Sequence, residues 1–404
     1  MPTVDYLLFD LNSYFASCEQ QDNPHLRGKP LAVVPMLTDS TSVLAASIQA
    51  KRRGIKTGTK VRDAKRLCPD IQFVTTHHTK YLDYHEKVLK AVDEIIPIDQ
   101  VLSVDEVSCR LMGSQRELQN AIALSQKLKR HVQNQVGECL TSSIGLGPNS
   151  LIAKIASDLQ KPDGLVWITQ EEIPEKLGPL SIRTVPGIGE KTELHLNRLG
   201  IFKIQDILKL STGEAKSKWG SILGSKVLQG LSGENYLHEH GATKSMGHEH
   251  VLEPDLRNNP GSFRVAMKLL NKACVRIRKN NLRCTILSLS VRFTNSEHFQ
   301  NDVKFEATQD TGFLMKQLTL LWPKIFNARP FKVSVVLSGL QDTEAQQFSF
   351  FDKDLRRREK AYSIADQINE KLGKNSIFVA DLQGLEQQAR GGISFSRVPS
   401  KDEF

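Results

Sequence analysis

Asp10 closes a short apolar run, Tyr6 to Phe9, and the adjacent pair Asp105-Glu106 stands inside Ser-Val-Asp-Glu-Val. Carboxylates delivered at strand ends are hard oxygen ligands. The chemistry they suggest uses two neighbouring divalent ions; Mg²⁺ in particular takes few protein carboxylates and completes its shell from substrate phosphates. Adjacent residues on a regular strand point to opposite faces. Asp105 and Glu106 can therefore serve one site only if the backbone twists at the strand end, or if the second side chain leans round to a second ion. A lone Asp-Glu dipeptide is most often a surface pair, so the assignment needs support from elsewhere in the chain.

Two other features point to phosphate. Thr184-Val185-Pro186-Gly187-Ile188-Gly189-Glu190-Lys191, followed by a helix and Leu199-Gly200-Ile201, has the pattern of a helix-hairpin-helix. Its glycines would let backbone N–H groups reach a nucleic-acid phosphate at a helix N-terminus, a contact blind to base sequence. Gly187, Gly189 and Lys191 are the candidates, against the alternative of a merely tight helical turn. Lys and Arg number 54 against 45 Asp and Glu, with a pI of about 9.1, a balance that favours a polyanionic partner. Between Lys244 and Lys332 there are 15 Lys and Arg against 7 Asp and Glu. A charge excess so localised reads as a binding face.

The elements that must position these groups are legible in outline. Tyr6 to Phe9 predicts a buried strand with Asp10 at its tip, and NSYFASCEQ opens a helix. Gln100 to Val107 predicts a second strand and Leu140 to Leu146 a third, with helical stretches Tyr81 to Ile95 and Leu118 to Val136 between them. Lys29 to Phe73 looks like an insertion hanging off this sheet, carrying the basic run Lys51-Arg52-Arg53-Gly54 at the end of a helix. After the turn signal Lys161-Pro162-Asp163-Gly164 the pattern is helical and short-looped to about Gln229. Gly230 to Lys244 reads as a linker. Beyond it, helix-like Phe263 to Arg278 and Gly312 to Trp322 are interleaved with strand patterns at Thr285 to Phe293, Val303 to Ala307 and Lys332 to Leu337. That order predicts an α+β unit with one open sheet face. From Gln341 onward the chain is polar, with a charge cluster from Asp352 to Lys360 and one more helical stretch.

A chain of 404 residues suggests two to four domains at roughly 100 to 200 residues each. Hydrophobic content of 39% and charged content of 25% are ordinary for globular proteins and exclude a disordered chain. Cys18, Cys68, Cys109, Cys139, Cys274 and Cys284 are scattered without a CxxC or CxxH pair, which argues against a zinc site or a disulfide framework and fits a reducing compartment. The start MPTVDYLLFDLNS has no basic leader and no apolar run reaches membrane-spanning length, so the expectation is a cytoplasmic location with no membrane partner.

Taken in order, Phe9-Asp10-Leu11-Asn12-Ser13-Tyr14-Phe15-Ala16-Ser17-Cys18-Glu19, Ser103-Val104-Asp105-Glu106, Ser143-Ile144-Gly145-Leu146-Gly147 with Leu151-Ile152-Ala153-Lys154-Ile155-Ala156-Ser157-Asp158, and Lys161-Pro162-Asp163-Gly164 resemble the Y-family, DinB/UmuC-like translesion DNA polymerases. The similarity is specific from about Tyr6 to Gly200 and weaker to Phe351. It implies a multidomain α/β and α+β right hand: palm 1–10 and 77–166, fingers 11–76, helical thumb 167–229, linker 230–243, α+β little finger 244–340 and a C-terminal tail 341–404.

By the same resemblance, Asp10, Asp105, Glu106 and the Leu11 carbonyl hold two Mg²⁺ ions. Ser13, Tyr14, Phe15, Lys51 and Lys161 meet the nucleotide, with Lys161 near the triphosphate and Phe15 as an aromatic gate under the sugar. Where the family commonly has Tyr and Arg on the triphosphate, this sequence has Ile48 and Lys51, which lack a hydroxyl and a bidentate fork. The little finger would lay its sheet on duplex backbone through Lys244, Arg276, Arg278, Lys279, Arg283, Arg292 and Lys332, although charges can also simply protect strand edges. Gln347-Phe348-Ser349-Phe350-Phe351 resembles the bacterial sliding-clamp pentapeptide, in which a Gln hydrogen-bonds while spaced apolar side chains fill a groove. The implied function is template-directed, low-fidelity synthesis from dNTPs on primer-template DNA without proofreading, with the clamp and accessory proteins of the SOS response as partners. Its rivals are a catalytically weak DNA- and clamp-binding adaptor, which would lose carboxylates, and a helix-hairpin-helix repair nuclease, which would lack this motif order.

Overall fold

The structure, a computed structural model, describes residues 2–234, 244–323, 328–343, 353–373 and 376–380. These form two compact units, one before and one after the 235–243 segment.

In the first unit β1 (Tyr6–Leu11) is buried from its second residue on, as an unbroken apolar run requires of a strand covered on both faces. Helix α1 (Tyr14–Asp22) starts from Ser13, which adopts a left-handed conformation at φ 53°. The insertion follows as β2 (Leu31–Val34), β3 (Ala45–Ala46), α2 (Ile48–Arg52), α3 (Val61–Leu67) and β4 (Gln72–Thr75). Its three strands, in the order β3-β2-β4, enclose a small core of their own around Val34, Val43, Ile55 and Val61. Helix α2 ends just before Gly54, whose φ of 85° is the left-handed turn that a glycine after a helix supplies.

The chain returns through α4 (His78–Asp93) to β5 (Gln100–Val101), β6 (Glu106–Arg110), α5 (Leu118–Val136), β7 (Ser142–Gly147), α6 (Ser150–Leu159) and β8 (Leu165–Trp167). These strands and β1 form one sheet in the order β5-β6-β1-β7-β8. Helix α5 occupies its predicted bounds, burying Ala121, Ser125, Leu128 and Val132 along one stripe. The expected strand Gln100 to Val107 is interrupted: the Leu102 and Ser103 N–H groups donate to the Glu106 carbonyl at 3.0 and 3.2 Å, closing a turn that contains Asp105. Gly145 is fixed by packing, because a Cβ there would lie 1.9 Å from the Ala153 carbonyl oxygen of α6. Short helices α7 (Ile173–Lys176), α8 (Glu190–Arg198), α9 (Ile204–Leu208), α10 (Thr212–Trp219) and α11 (Leu223–Leu231) complete the unit. They bury Ile182, Leu196, Ile204 and Leu228 against Leu151, Ile152 and Ile155 of α6.

The second unit contains β9 (Ser245–Val251), α12 (Asn259–Lys279), β10 (Leu282–Phe293), β11 (His298–Thr308), α13 (Thr311–Leu321), β12 (Pro330–Ser338), β13 (Gln341–Asp342) and α14 (Lys353–Leu372). The antiparallel sheet β11-β10-β12-β9 buries Leu287, Leu289, Val291, Val333, Val335 and Leu337 under α12 and α13. Ser288, Ser290, Arg292, Lys332 and Ser334 alternate with them on the open face. Strand β9 has no matching expectation; its sequence Ser-Met-Gly-His-Glu-His-Val has little apolar rhythm, and it joins the edge by backbone pairing with β12.

Helix α14 corrects two expectations. The segment after Gln341 is not all tail, because Glu359 of α14 is buried and accepts from Arg283, while Asp366 accepts from Arg278 at 2.6 and 3.0 Å. Arg278 and Arg283, only 8% and 3% exposed, are therefore ion-paired inside the unit and do not face a phosphate backbone. A guanidinium so buried is tolerable only with its carboxylate in place. No helix among the described residues is long and apolar enough to cross a membrane.

Candidate active site

The central position of β1 brings the predicted carboxylates together. Asp10 lies directly opposite Glu106 in the β1–β6 register, and the Leu11 N–H donates to the Asp105 carbonyl at 2.9 Å. The turn before β6 resolves the problem of adjacent residues. Asp105 belongs to the turn and Glu106 opens the strand, so the two side chains escape strict alternation and line one cleft with Asp10. The turn is pinned by the Ser103 hydroxyl, which donates to Asp105 Oδ1 at 2.6 Å, and by a 2.8 Å hydrogen bond between His85 Nδ1 and the Val104 carbonyl.

Two ammonium groups enter the same floor. Lys154 Nζ, from α6, lies 2.7 Å from both Asp10 Oδ2 and Glu106 Oε1 and 3.4 Å from Asp158. Lys161 Nζ lies 2.7 Å from Asp10 Oδ2 and from Asp158 Oδ1. Neither Lys154 nor Asp158 was assigned a role from sequence. The available signal was a lone Lys and Asp one turn apart on a helix that otherwise buries Leu151, Ile152, Ala153, Ile155, Ala156 and Ser157.

Burial alone would raise the Asp10 carboxyl, but the two ammonium groups beside it hold it below the usual range. Burial pushes Glu106 up to about 7 despite the pull of Lys154. Asp105 is raised by burial too, with only a partial offset from Ser103. Lys154, whose burial would lower it, is held above the usual lysine value by Asp10 and Glu106. With Lys154 and Lys161 on Asp10 and Glu106, no three of the described carboxylates are grouped to hold a metal ion as they stand; in donor chemistry, hard oxygens gathered at such electrostatic cost suit a divalent cation. The donors would be Asp10, Asp105, Glu106 and the Leu11 carbonyl.

The cleft above, about 410 Å³, is lined by Ser13, Tyr14, Phe15, Lys51 and Lys161, and by Ile48, Ala45 and Thr57 of the insertion. The Phe15 ring stacks on Tyr81, with centroids 4.3 Å apart and planes within 9°. The Tyr14 hydroxyl is committed elsewhere, donating to the Tyr81 carbonyl at 2.6 Å. Ser13 combines left-handed backbone with a buried hydroxyl that has no hydrogen-bond partner among the described residues, as at a position kept for a ligand. Burial lowers the Lys51 pKa, and the Lys161 charge adds to that. Asn12 couples the start of α1 to the Lys161 turn, its Oδ1 accepting from the Asp163 N–H at 2.8 Å.

The other predicted contacts divide. Gly187 (φ 87°) and Gly189, which precedes the first residue of α8, both have open space where a Cβ would stand, and Lys191 is exposed. Arg292 and Lys332 are register partners on the open face, and Lys244 is exposed beside β9. Lys332 also meets Glu249 at 2.7 Å. Arg276 and Lys279 lie on α12, in the layer behind the sheet, where Arg276 donates to the Gly247 carbonyl at 3.3 Å and Lys279 pairs with Glu370 at 3.6 Å. Both were expected as phosphate partners, and both lie on the helical layer and not on the open sheet face. Gln347, Phe348, Phe350 and Phe351 lie outside the described residues.

Comparison with known proteins gives matches on both sides of the 235–242 segment. The impB/mucB/samB family matches residues 9–158, and that family's C-terminal domain matches residues 243–350. The chain is 30% identical over 385 residues to "DNA polymerase IV" of Pelotomaculum thermopropionicum, covering 93% of this chain and 94% of that one. It is also 30% identical over 382 residues to the protein of that name from Moorella thermoacetica, with 92% and 94% covered. Among solved structures, "Y-family DNA polymerase chimera Dbh-Dpo4(243-245)-Dbh" superposes with a TM-score of 0.71 at 24% identity, covering 84% of this chain and 99% of that one.

Proposed function

The chain belongs to the impB/mucB/samB family and is a Y-family translesion DNA polymerase, and on that premise we propose that Asp10, Asp105, Glu106 and the Leu11 carbonyl hold two Mg²⁺ ions for nucleotidyl transfer from a dNTP to a primer 3′-hydroxyl. The observation that carries this reading is the turn at Asp105, which puts both members of the dipeptide beside Asp10 in one cleft. When bound, the ions supply acidification of the 3′-hydroxyl and neutralisation of the triphosphate.

The protein's own side chains do the rest. Lys161 presents its ammonium to the triphosphate from the turn that Asn12 holds. Lys51, one helical turn into α2, offers a second point charge where a bidentate fork would bind more tightly. Ser13 supplies an uncommitted hydroxyl, and Phe15, stiffened by Tyr81, excludes a 2′-hydroxyl. Primer-template DNA is gripped without regard to base sequence by the hairpin around Gly187, Gly189 and Lys191, and by Arg292, Lys332 and Lys244 of the second unit.

In this reading the unit of β1, β5–β8 and their helices is the palm, the β2–β4 insertion the fingers, α7–α11 the thumb and the second unit the little finger. Synthesis proceeds without proofreading. Gln347, Phe348, Phe350 and Phe351 would dock on a bacterial sliding clamp, and SOS accessory proteins and a cytoplasmic location go with the same reading.

The test is primer extension by the full chain with Mg²⁺ and single nucleotides. Asp105→Ala should abolish extension while primer-template affinity stays within a few fold, because the DNA grip lies elsewhere. Retained extension would remove Asp105 from the mechanism, and joint loss of binding and extension would indicate misfolding.

A further inference from the structure

The ammonium of Lys154 occupies oxygens that the proposed function assigns to metal. It contacts Asp10 Oδ2 and Glu106 Oε1 at 2.7 Å each, closer than its 3.4 Å approach to Asp158. A divalent ion that takes those oxygens stands within a few ångströms of the ammonium bonded to them, so the two cations repel and compete for the same negative charge. The lysine has somewhere to go. Asp158 is one turn further along α6, its Oδ2 already within reach while its Oδ1 holds Lys161, and it is more exposed than Asp10 or Glu106. A flexible four-carbon stem can swing between these acceptors at little cost.

The position of Lys154 on α6 is rigidly set. Gly145 lets the helix lie against β7, and the neighbours of Lys154 on both sides, Ala153 and Ile155, are fully buried or nearly so. The chain thus holds its own cation at the floor by design of packing, and not by the chance approach of a surface side chain.

Resting on the carboxylate assignment above, we propose that Lys154 is a built-in counter-ion that competes with the divalent ion for Asp10 and Glu106, and parks on Asp158 when displaced. It keeps the free chain's metal affinity low and couples metal loading to arrival of the triphosphate. The coupling follows from charge. With Lys154 and Lys161 in place, the four carboxylates Asp10, Asp105, Glu106 and Asp158 keep two formal negative charges, too little to balance two divalent ions without the added anionic oxygens of a nucleotide. The lysine is a positioning residue: it touches the ligands and acts through them.

The experiment is Mn²⁺ binding to the chelator-stripped full chain without DNA, read from the electron paramagnetic resonance of the free hexaaqua ion. Lys154→Gln should bind Mn²⁺ more tightly than wild type by about tenfold or more, since a unit positive charge beside the ion is gone. Lys154→Arg should stay near wild type. Adding a non-hydrolysable dNTP should tighten wild type more than Lys154→Gln, narrowing the gap. Thermal unfolding in chelator should be lower for Lys154→Gln and recover on adding Mn²⁺, which separates a folding defect from a metal effect.

Asp158→Asn, which keeps Lys154 but removes its resting place, should weaken Mn²⁺ binding. Equal or weaker Mn²⁺ affinity in Lys154→Gln, or an equal nucleotide effect in both proteins, overturns the proposal. Asp105→Ala in both backgrounds keeps the two readings apart. If Mn²⁺ binding survives it unchanged, the carboxylate assignment fails; if binding is lost but Lys154→Gln shows no gain, only the counter-ion role fails.

Discussion

Replacing Phe15 by Ala should relax the choice between deoxyribose and ribose. The ring is buried on the cleft wall five residues after Asp10, so the sugar of a nucleotide whose phosphates reach the Asp10 floor must pass close to it. The ring cannot swing aside easily. It stacks on Tyr81 at 4.3 Å, and the Tyr81 hydroxyl is anchored to Glu19 Oε1 at 2.7 Å. A 2′-hydroxyl pressed against that face loses water and gains no partner, at a cost of roughly 1–3 kcal/mol. At about 1.4 kcal/mol per decade this is about ten- to a hundredfold in discrimination.

The assay is single-turnover incorporation of matched dNTP and rNTP, taken as a ratio so that general loss of activity cancels. Because emptying a buried Phe site can cost roughly 3–5 kcal/mol of stability, thermal unfolding of the variant must be followed in parallel. Tyr14→Ala is the control, since its hydroxyl is turned to the Tyr81 carbonyl. An unchanged ratio in a folded Phe15→Ala protein refutes the reasoning. Relaxation in Tyr14→Ala instead would move the gate by one residue.

Four further outcomes are expected. Glu359→Ala should destabilise the second unit by about 3–5 kcal/mol, because it strands the Arg283 guanidinium in the interior, whereas Arg283→Met with Glu359→Leu should recover most of it; Arg292→Ser with Lys332→Ser should leave denaturant stability alone and lower the salt dependence of DNA affinity by about two counter-ions. If Glu359→Ala leaves stability unchanged, or Arg292→Ser with Lys332→Ser lowers it, the division between interior and open face is wrong. The metal-free chain should lose stability as pH rises from about 4.5 to about 7: Glu106 is raised from 4.5 to about 7 on folding, and a carboxyl that holds its proton more tightly when folded stabilises below the unfolded value and gives that up on ionising. Asp105 is raised in the same sense, and Glu106→Gln should flatten the slope measured in chemical denaturation with chelator. Phe350→Ala with Phe351→Ala should abolish binding to a sliding clamp by calorimetry while distributive extension persists; undiminished affinity would remove those residues from the interface.

Much of the first unit could be read without coordinates. An apolar run ending in Asp10, a helix from Leu118 to Val136 with one apolar stripe, and a glycine after the Lys51 helix are local statements, and periodicity or turn chemistry is enough to make them. The ordered motifs from Phe9 to Gly164 carried the family resemblance, and with it the carboxylates and the gate. What remained hidden was what depends on a partner far along the chain. Whether Asp105 and Glu106 could share a site was settled by a turn that Ser103, His85 and the Glu106 carbonyl close together. Nothing local to Lys154 says that it reaches Asp10; that depends on Gly145, which lets α6 lie against the sheet. Arg278 and Arg283 counted toward a basic binding face, and only α14, 88 and 76 residues away in sequence, shows that they are interior. Sequence pattern determined which residues are charged and which face of an element is apolar; tertiary structure decided which charges face each other, because that pairing is a property of two elements and is encoded in neither alone.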